Sequence, residues 1–311
     1  MKRFLVVGDG LIGAALARYF ESRGEVRRTT RRMPASPDAI ALDLGKPDDA
    51  VAALTKIEGW LSKGSATAFL TAAITGYTRC ESDPATSSRI NVDNTCLLAE
   101  WLLARGAFVV FPSTSAVFGA RNDAPAEDII PAPRTEYGRQ KARAETRLLG
   151  LRADAGVAVV RMTKVLSRQQ APIKDWLRTL RADGQIETAV DLLMAPISLT
   201  FAVSALARVA ELRKAGVFHV SGARAVSYRD FGRCFVRQAG ISEQRIREIK
   251  IHDRTAPTLI SDVAMLNMER TSRIAGIMPQ PMEQTVEDLL GNPPSGQDGA
   301  SEASALRSKQ E

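Results

Sequence analysis

The chain opens on MKRFLVVGDGLIGAALA, and the glycines of this stretch constrain the fold more than any other feature. Gly8, Gly10 and Gly13 directly follow an apolar run and open a helical pattern. In that setting the first glycine permits a tight strand-to-helix turn, the second lets backbone approach a pyrophosphate, and the third lets helix and strand pack closely. Amides at the start of the helix, at Leu11 and Ile12, then face phosphate charge. The spacing predicts dinucleotide binding, set against the plainer alternative of a tight turn alone. The same stretch imitates a secretory signal, with a basic start and an Ala-x-Ala look. Asp9 inside the apolar run and the glycine spacing argue against that reading.

Where a second strand should end, some 18 residues after Gly13, the sequence reads TTRR, with Arg31 and Arg32 and no acid. An acid at this place holds the ribose hydroxyls of NAD, whereas arginine accommodates the extra phosphate of NADP. The arginines favour NADP(H), and NAD(H) stays open. The alternative is a solvated basic strand end in an arginine-rich chain.

Short apolar runs alternate with helical patterns as far as VAVVRMT: RFLVVG, VRRTT, AIALDL, TAFLTAA and AFVVFPS are the strand-like segments, with a long helix through Trp101 between the last two. Such alternation argues a doubly wound α/β fold, a Rossmann-type parallel sheet covered on both faces. Residues 1–167 are expected to form the dinucleotide-binding domain. After that the rhythm loosens, and 168–290 reads mainly as a smaller substrate domain that can return strands to the main sheet. The tail, 291–311, is rich in Pro, Gly, Ser and charge and is expected to be disordered.

A net charge of +7 makes an anionic partner plausible, but the arginines are scattered and aromatic residues make up only 5% of the chain. A basic stripe interleaved with aromatics is lacking, so a nucleic-acid binder is disfavoured. Cys80, Cys96 and Cys234 are odd in number and far apart, which suits reduced thiols in a cytoplasmic protein. His219 and His252 have no partners at zinc-site spacing, so no metal is expected, and His219 in GVFHV reads as a packed histidine. No run of about 18 uncharged apolar residues exists to span a membrane.

Beyond the glycine loop, AIALDL with Asp43 and Leu44, TAAIT, INVDNT with Asn91, PSTSAVFG, YGRQK, VRMTKV and FHVSGARAVSYRDF follow in order. In these motifs and their order the chain resembles the extended short-chain dehydrogenase/reductase superfamily, from Met1 to about Leu290. Within that superfamily it is closest in character to dTDP-4-dehydrorhamnose reductases. The resemblance implies that Thr114 is the catalytic Ser/Thr, Tyr137 the proton donor or acceptor, and Lys141 the lysine beside it. It implies that Asp43 and Leu44 lie near the adenine, that Thr71, Ala72 and Ala73 form the turn under the nicotinamide, and that Thr163 and Lys141 border the cofactor. Thr75, Ser115 and Lys164 fall on the substrate side, and a homodimer through long helices is expected by the same likeness. Three places depart from the family pattern: Val7 occupies the first glycine of its usual Gly-x-x-Gly-x-x-Gly, Lys164 replaces a common asparagine, and Ser115 and Ala116 follow Thr114.

Carbonyl reduction needs a hydride and a proton delivered to the developing alkoxide. Tyrosine is a natural acid for this chain, and a nearby ammonium such as Lys141 lowers the phenol's pKa from its usual value of about 10. Thr114 can polarise the substrate oxygen. Superfamily members that eliminate water typically carry Asp-Glu after the Ser/Thr, so Ser115 and Ala116 disfavour dehydration. Reductases of the dTDP-4-dehydrorhamnose type usually carry aspartate and tyrosine there, which leaves the sugar open. Lys174, Arg178 and Arg181 recur near helical spacing in APIKDWLRTLRADG, and Arg178 is the candidate for a nucleotide diphosphate. The expected activity is NADPH-dependent reduction of a keto group on a nucleotide-linked sugar. The alternatives are an NAD-retaining epimerase and, in another class, a non-catalytic dinucleotide sensor, against which the Tyr137–Lys141 pair weighs. Glu145, one turn beyond Lys141, reads as that lysine's surface ion-pair partner.

Overall fold

Leu5 and Val7 point to one side of the first strand and Phe4 and Val6 to the other, and this alternation builds two cores around one sheet. The computed structural model describes residues 1–32, 38–62, 66–119, 123–151, 156–251 and 264–291, with backbone alone at 47–49. The strands β1 (Arg3–Val7), β2 (Glu25–Thr30), β3 (Ala39–Ala41), β4 (Ala66–Leu70), β5 (Phe108–Thr114) and β6 (Val157–Met162) are joined by a seventh, Gly216–Val220. All pair in parallel, in the spatial order seventh-β6-β5-β4-β1-β2-β3. Strand order therefore reverses between β1 and β4, and the crevice beyond their carboxyl ends is where such folds take a ligand.

On the Phe4 and Val6 side lie helix α1 (Leu11–Phe20) and the helix Leu199–Leu212, which supplies Leu206 and Val209 to the core. On the other side lie the helices Thr95–Leu103 and Glu136–Gly150, through Leu98, Leu102, Ala144 and Leu148. The second half of the chain thus returns one helix and one strand to the first-half sheet. Its remainder packs a separate apolar cluster around Trp176, Phe231 and Phe235. Three two-stranded pieces hold that part together: Val165–Leu166 with Ile197–Ser198, Leu193–Met194 with Val226–Ser227, and Ile186–Ala189 with Ile246–Ile249.

The long helix expected through Trp101 is instead four consecutive pieces. Pro84 lacks the N–H that a continuing helix needs, and the Asp83 side chain accepts from Thr86 N to start a new turn. A π-helical turn at Arg89–Asn94 then precedes Thr95–Leu103. Among the described residues, no helix is long and apolar enough to cross a membrane. Of the tail expectation, 291–311, all but Gly291 lies outside the described residues, as does His252.

Candidate active site

Gly8 has φ +106°, and a Cβ there would stand 2.7 Å from Ala72 N. The Gly8 N–H donates to Thr29 Oγ1 at 3.0 Å, and Thr71 Oγ1 donates to Val7 O at 2.8 Å. A Cβ on Gly13 would lie 2.0 Å from Gly8 O, so this glycine is what lets α1 close onto the turn. Around Gly10 the space is open, since a Cβ added there would meet nothing within 4 Å, and no side chain caps the start of α1. Free helix-start amides beside an open cradle fit an anionic pyrophosphate in both shape and charge. Next to this cradle a second crevice is lined by Gly8, Asp9, Arg31, Asp43, Leu44 and Ala72. Asp43 Oδ1 accepts from Gly45 N at 2.9 Å, and Thr30 Oγ1 donates to Asp9 Oδ2 at 2.6 Å. The adenosine end of a dinucleotide would therefore meet two arginines, Arg31 and Arg79, and two carboxylates.

The glycine loop also borders a cleft of about 860 Å³. Gly10, Leu11, Ile12 and Gly13 form one wall, Thr114, Ser115 and Tyr137 another, and Thr163 and Lys164 a third; Thr71, Ala73 and Thr75 also open on it. Thr114 ends β5, and its Oγ1 accepts from Ala116 N at 3.1 Å. That bond fixes the rotamer and leaves the hydroxyl proton free to donate. Tyr137 sits in the first turn of its helix, which Thr135 caps by accepting from Gly138 N at 3.1 Å. Burial pushes the Tyr137 phenol pKa well above its usual value, with smaller contributions from Tyr77 and Cys80. The Tyr77 ring is 5.6 Å from it, centroid to centroid, and Tyr228 lines the same cleft.

Lys141 lies one helical turn from Tyr137, is 5% exposed, and donates from Nζ to Pro112 O at 2.6 Å. The ammonium also sits 3.9 Å from the Phe111 ring centroid. Burial lowers its pKa to about 8, partly offset by Glu145. Among the described residues no salt bridge joins Glu145 to Lys141. Glu145 is buried and takes two hydrogen bonds from Arg161, at 2.8 and 3.0 Å, and one from Ser113 Oγ. The surface-pair reading of this residue is therefore corrected: the helix turns it inward, against β5 and β6.

A family model, RmlD substrate binding domain, matches residues 1–293. The chain belongs to that family. It is a dTDP-4-dehydrorhamnose reductase-like extended short-chain dehydrogenase/reductase. A dTDP-4-dehydrorhamnose reductase of Mycolicibacterium smegmatis is 27% identical over 215 residues, 67% of this chain and 64% of that protein, so the chain matches under two thirds of that relative's length. A dTDP-4-dehydrorhamnose reductase of Bacillus anthracis, solved in complex with NADP, superposes with a TM-score of 0.78 at 18% identity, over 93% of this chain and 99% of that one. MoeE5 in complex with UDP-glucose and NAD superposes at 0.72 with 23% identity, over 99% and 100%. At these identities the structural likeness is one of fold.

The fold of the family brings most of the sequence-derived candidates to these two crevices and leaves three of them outside: Lys141, whose ammonium is buried against Pro112 O, Arg178 and Arg32. Arg178 has a side chain 77% exposed, pairs with Asp175 at 3.1 Å and lines neither crevice. The apolar residues of its helix, Trp176, Leu177 and Leu180, take the inward face, which turns Arg178 to solvent. Arg32 is exposed one residue beyond Arg31 and likewise lines neither. Two positions to which the sequence reading assigns no site role, Gly138 and the landmark Asn91, hold the site together. Gly138 packs so closely on the turn after Thr114 that a Cβ would be 2.2 Å from Ala116 O. Asn91, in the π-helical turn, exchanges two 2.8 Å bonds with the backbone of Ile74 and donates to Gln140 Oε1 at 2.7 Å. Only the Tyr-Gly-x-x-Lys spelling of YGRQK could have flagged Gly138. His219 is fully buried, as a packed histidine, and the described residues hold no cluster of three metal-ligating side chains.

Proposed function

We propose that the protein is an NADPH-dependent oxidoreductase that reduces a keto group of a nucleotide-linked sugar. The observation that carries this reading is the convergence of Tyr137, Thr114 and the bare start of α1 on one cleft. Gly10, Leu11, Ile12 and Gly13 would hold the pyrophosphate, and Arg31 would meet an adenosine 2′-phosphate. A bound nicotinamide supplies hydride chemistry. The chain's own part is acid catalysis and orientation: Thr114 donates a hydrogen bond to the carbonyl oxygen, and the protonated Tyr137 phenol delivers a proton to the alkoxide. Lys141 would tune that phenol and reach the cofactor ribose by swinging its ammonium away from Pro112 O. A phenol held protonated by burial suits donation more than abstraction, which supports the reductive direction.

The NAD-retaining epimerase is a second reading, and Asp9 is the observation that favours it. A carboxylate at the adenosine crevice suits ribose hydroxyls and repels a 2′-phosphate. The deciding experiment measures NADPH oxidation with dTDP-, UDP- and GDP-linked 4-keto sugars, beside thermal stabilisation by NADPH and by NADH. Stoichiometric NADPH consumption supports the reductase. Isomer interconversion without net consumption, by protein that retains NAD, supports the epimerase. No shift with either dinucleotide would sink both enzymatic readings.

A further inference from the structure

Lys164 is the one charged side chain among the described residues that line the main cleft. The other walls are hydroxyls, apolar side chains, glycines and the amide of Gln170. No carboxylate among the described residues lies within ion-pairing distance of it, whereas Arg3, Arg161, Arg178, Arg224 and Arg237 each have a carboxylate partner. The surrounding protein lowers the lysine's pKa through desolvation alone, without an opposing acid.

The lysine's backbone is fixed in place. Thr163 N donates to Val220 O at 3.0 Å, Ile197 N donates to Lys164 O at 2.9 Å, and Gly222 N reaches Thr163 Oγ1 at 3.4 Å. Both ends of this short turn are thereby tied to the returned strand and to the substrate side of the cleft. Met162 stands directly opposite Thr114 across the β5–β6 ladder. Two residues further on, Lys164 starts roughly 8 Å from the Thr114 backbone, by ordinary strand spacing and rise. Its side chain therefore starts near the Thr114 end of the cleft that both residues line.

Lys164 is exposed at the cleft wall, so its ammonium is open to a ligand and faces no counter-charge from the described lining residues. A ligand oxygen anion would supply that counter-charge and would be fixed in position by it, as single charged groups do in otherwise neutral pockets. We propose that Lys164 selects a substrate bearing an anionic substituent on or next to the sugar ring, of which a hexuronate carboxylate is the representative class. The inference rests on the reading that the cleft takes a nucleotide-linked sugar. A diphosphate would present the same anionic oxygens, but the position of Lys164 beside the Thr114 end favours the ring substituent.

The test uses the full chain saturated with NADPH and measures affinities for UDP-glucuronate, UDP-glucose and free glucuronate in the wild type, Lys164→Gln and Lys164→Arg. The dinucleotide-induced rise in Tm reports whether each variant is folded. The wild type should bind UDP-glucuronate about ten-fold or more tighter than UDP-glucose, as a charge-assisted hydrogen bond provides. Lys164→Gln should bring the two to parity, and Lys164→Arg should keep the preference. Equal wild-type affinities overturn the proposal while leaving the nucleotide-sugar reading intact. Equal weakening of both ligands by Lys164→Gln overturns it too and moves the lysine to the shared diphosphate. If neither UDP-sugar binds, Lys164-dependent binding of free glucuronate sustains the anion site and sinks the nucleotide-sugar reading, and its absence sinks both.

Discussion

Tyr137 and Lys141 share a helix face, yet their side chains have different neighbours: the phenol opens on the cleft, and the ammonium is buried against Pro112 O and the Phe111 ring. Tyr137→Phe removes one hydroxyl with almost no change of shape. It should retain NADPH-induced thermal stabilisation and lower kcat by about 100-fold or more, the lower end of general-acid catalysis. Turnover near the wild-type rate would move the acid elsewhere, with Tyr77 the next hydroxyl in line. In the second crevice, proposed to take the adenosine, Arg31 has Arg79, Asp9 and Asp43 as its charged companions. Loss of one charge-assisted contact to a 2′-phosphate costs about 1.5–3 kcal/mol. Arg31→Ala should therefore weaken NADPH by about ten-fold or more and leave NADH almost unchanged, as read by titration calorimetry. Equal loss for both dinucleotides would take Arg31 off the phosphate.

Gly138 shows how an element, and not only a residue, builds the site. The Glu136–Gly150 helix meets the turn after Thr114 backbone to side, and a methyl at 138 would overlap Ala116 O. Gly138→Ala should cost about 1–3 kcal/mol in unfolding free energy through overpacking. It should also cut kcat more than it alters NADPH binding, because it separates Tyr137 from Thr114 while leaving the glycine loop untouched. Denaturant melts and steady-state kinetics on the same protein read both effects, and unchanged stability would refute the close contact. The alternation of strands and helices, and the strand end and helix start that carry Thr114 and Tyr137, were legible because strand ends, glycine turns and a tyrosine–lysine spacing leave local marks in sequence. The steric need at Gly138 was hidden, since its clash partner lies on another element. The inward turn of Glu145 was hidden for the same reason: the spacing that places it near Lys141 says nothing about Arg161, sixteen residues away on β6. Arg178 was misdirected by its spacing, because periodicity groups residues on a face without saying which face meets the cleft.

Over the whole molecule, the second half of the chain returns Leu199–Leu212 and Gly216–Val220 to the first-half sheet. His219 lies in that returned strand, fully buried, with its Nδ1 at 2.9 Å from Asn267 O and its Nε2 at 3.4 Å from Arg161 Nη1. The carbonyl can only accept, so Nδ1 carries the proton and Nε2 accepts from arginine. Burial first, and the Arg161 charge second, lower the His219 pKa to about 3. An unfolded chain would protonate this histidine near 6.5. Between pH of about 6.5 and about 3 the unfolded state therefore binds the extra proton, and the stability that neutral His219 secures is complete above that window and is lost as pH falls through it. The contribution of this one proton is a slope of about 1.4 kcal/mol per pH unit. His219→Gln keeps one donor and one acceptor and removes the titration. Its unfolding free energy should be lower than wild type at neutral pH, and the two curves should converge on acidification. Urea melts across that range test the linkage, and parallel curves would show that acid sensitivity enters through another group.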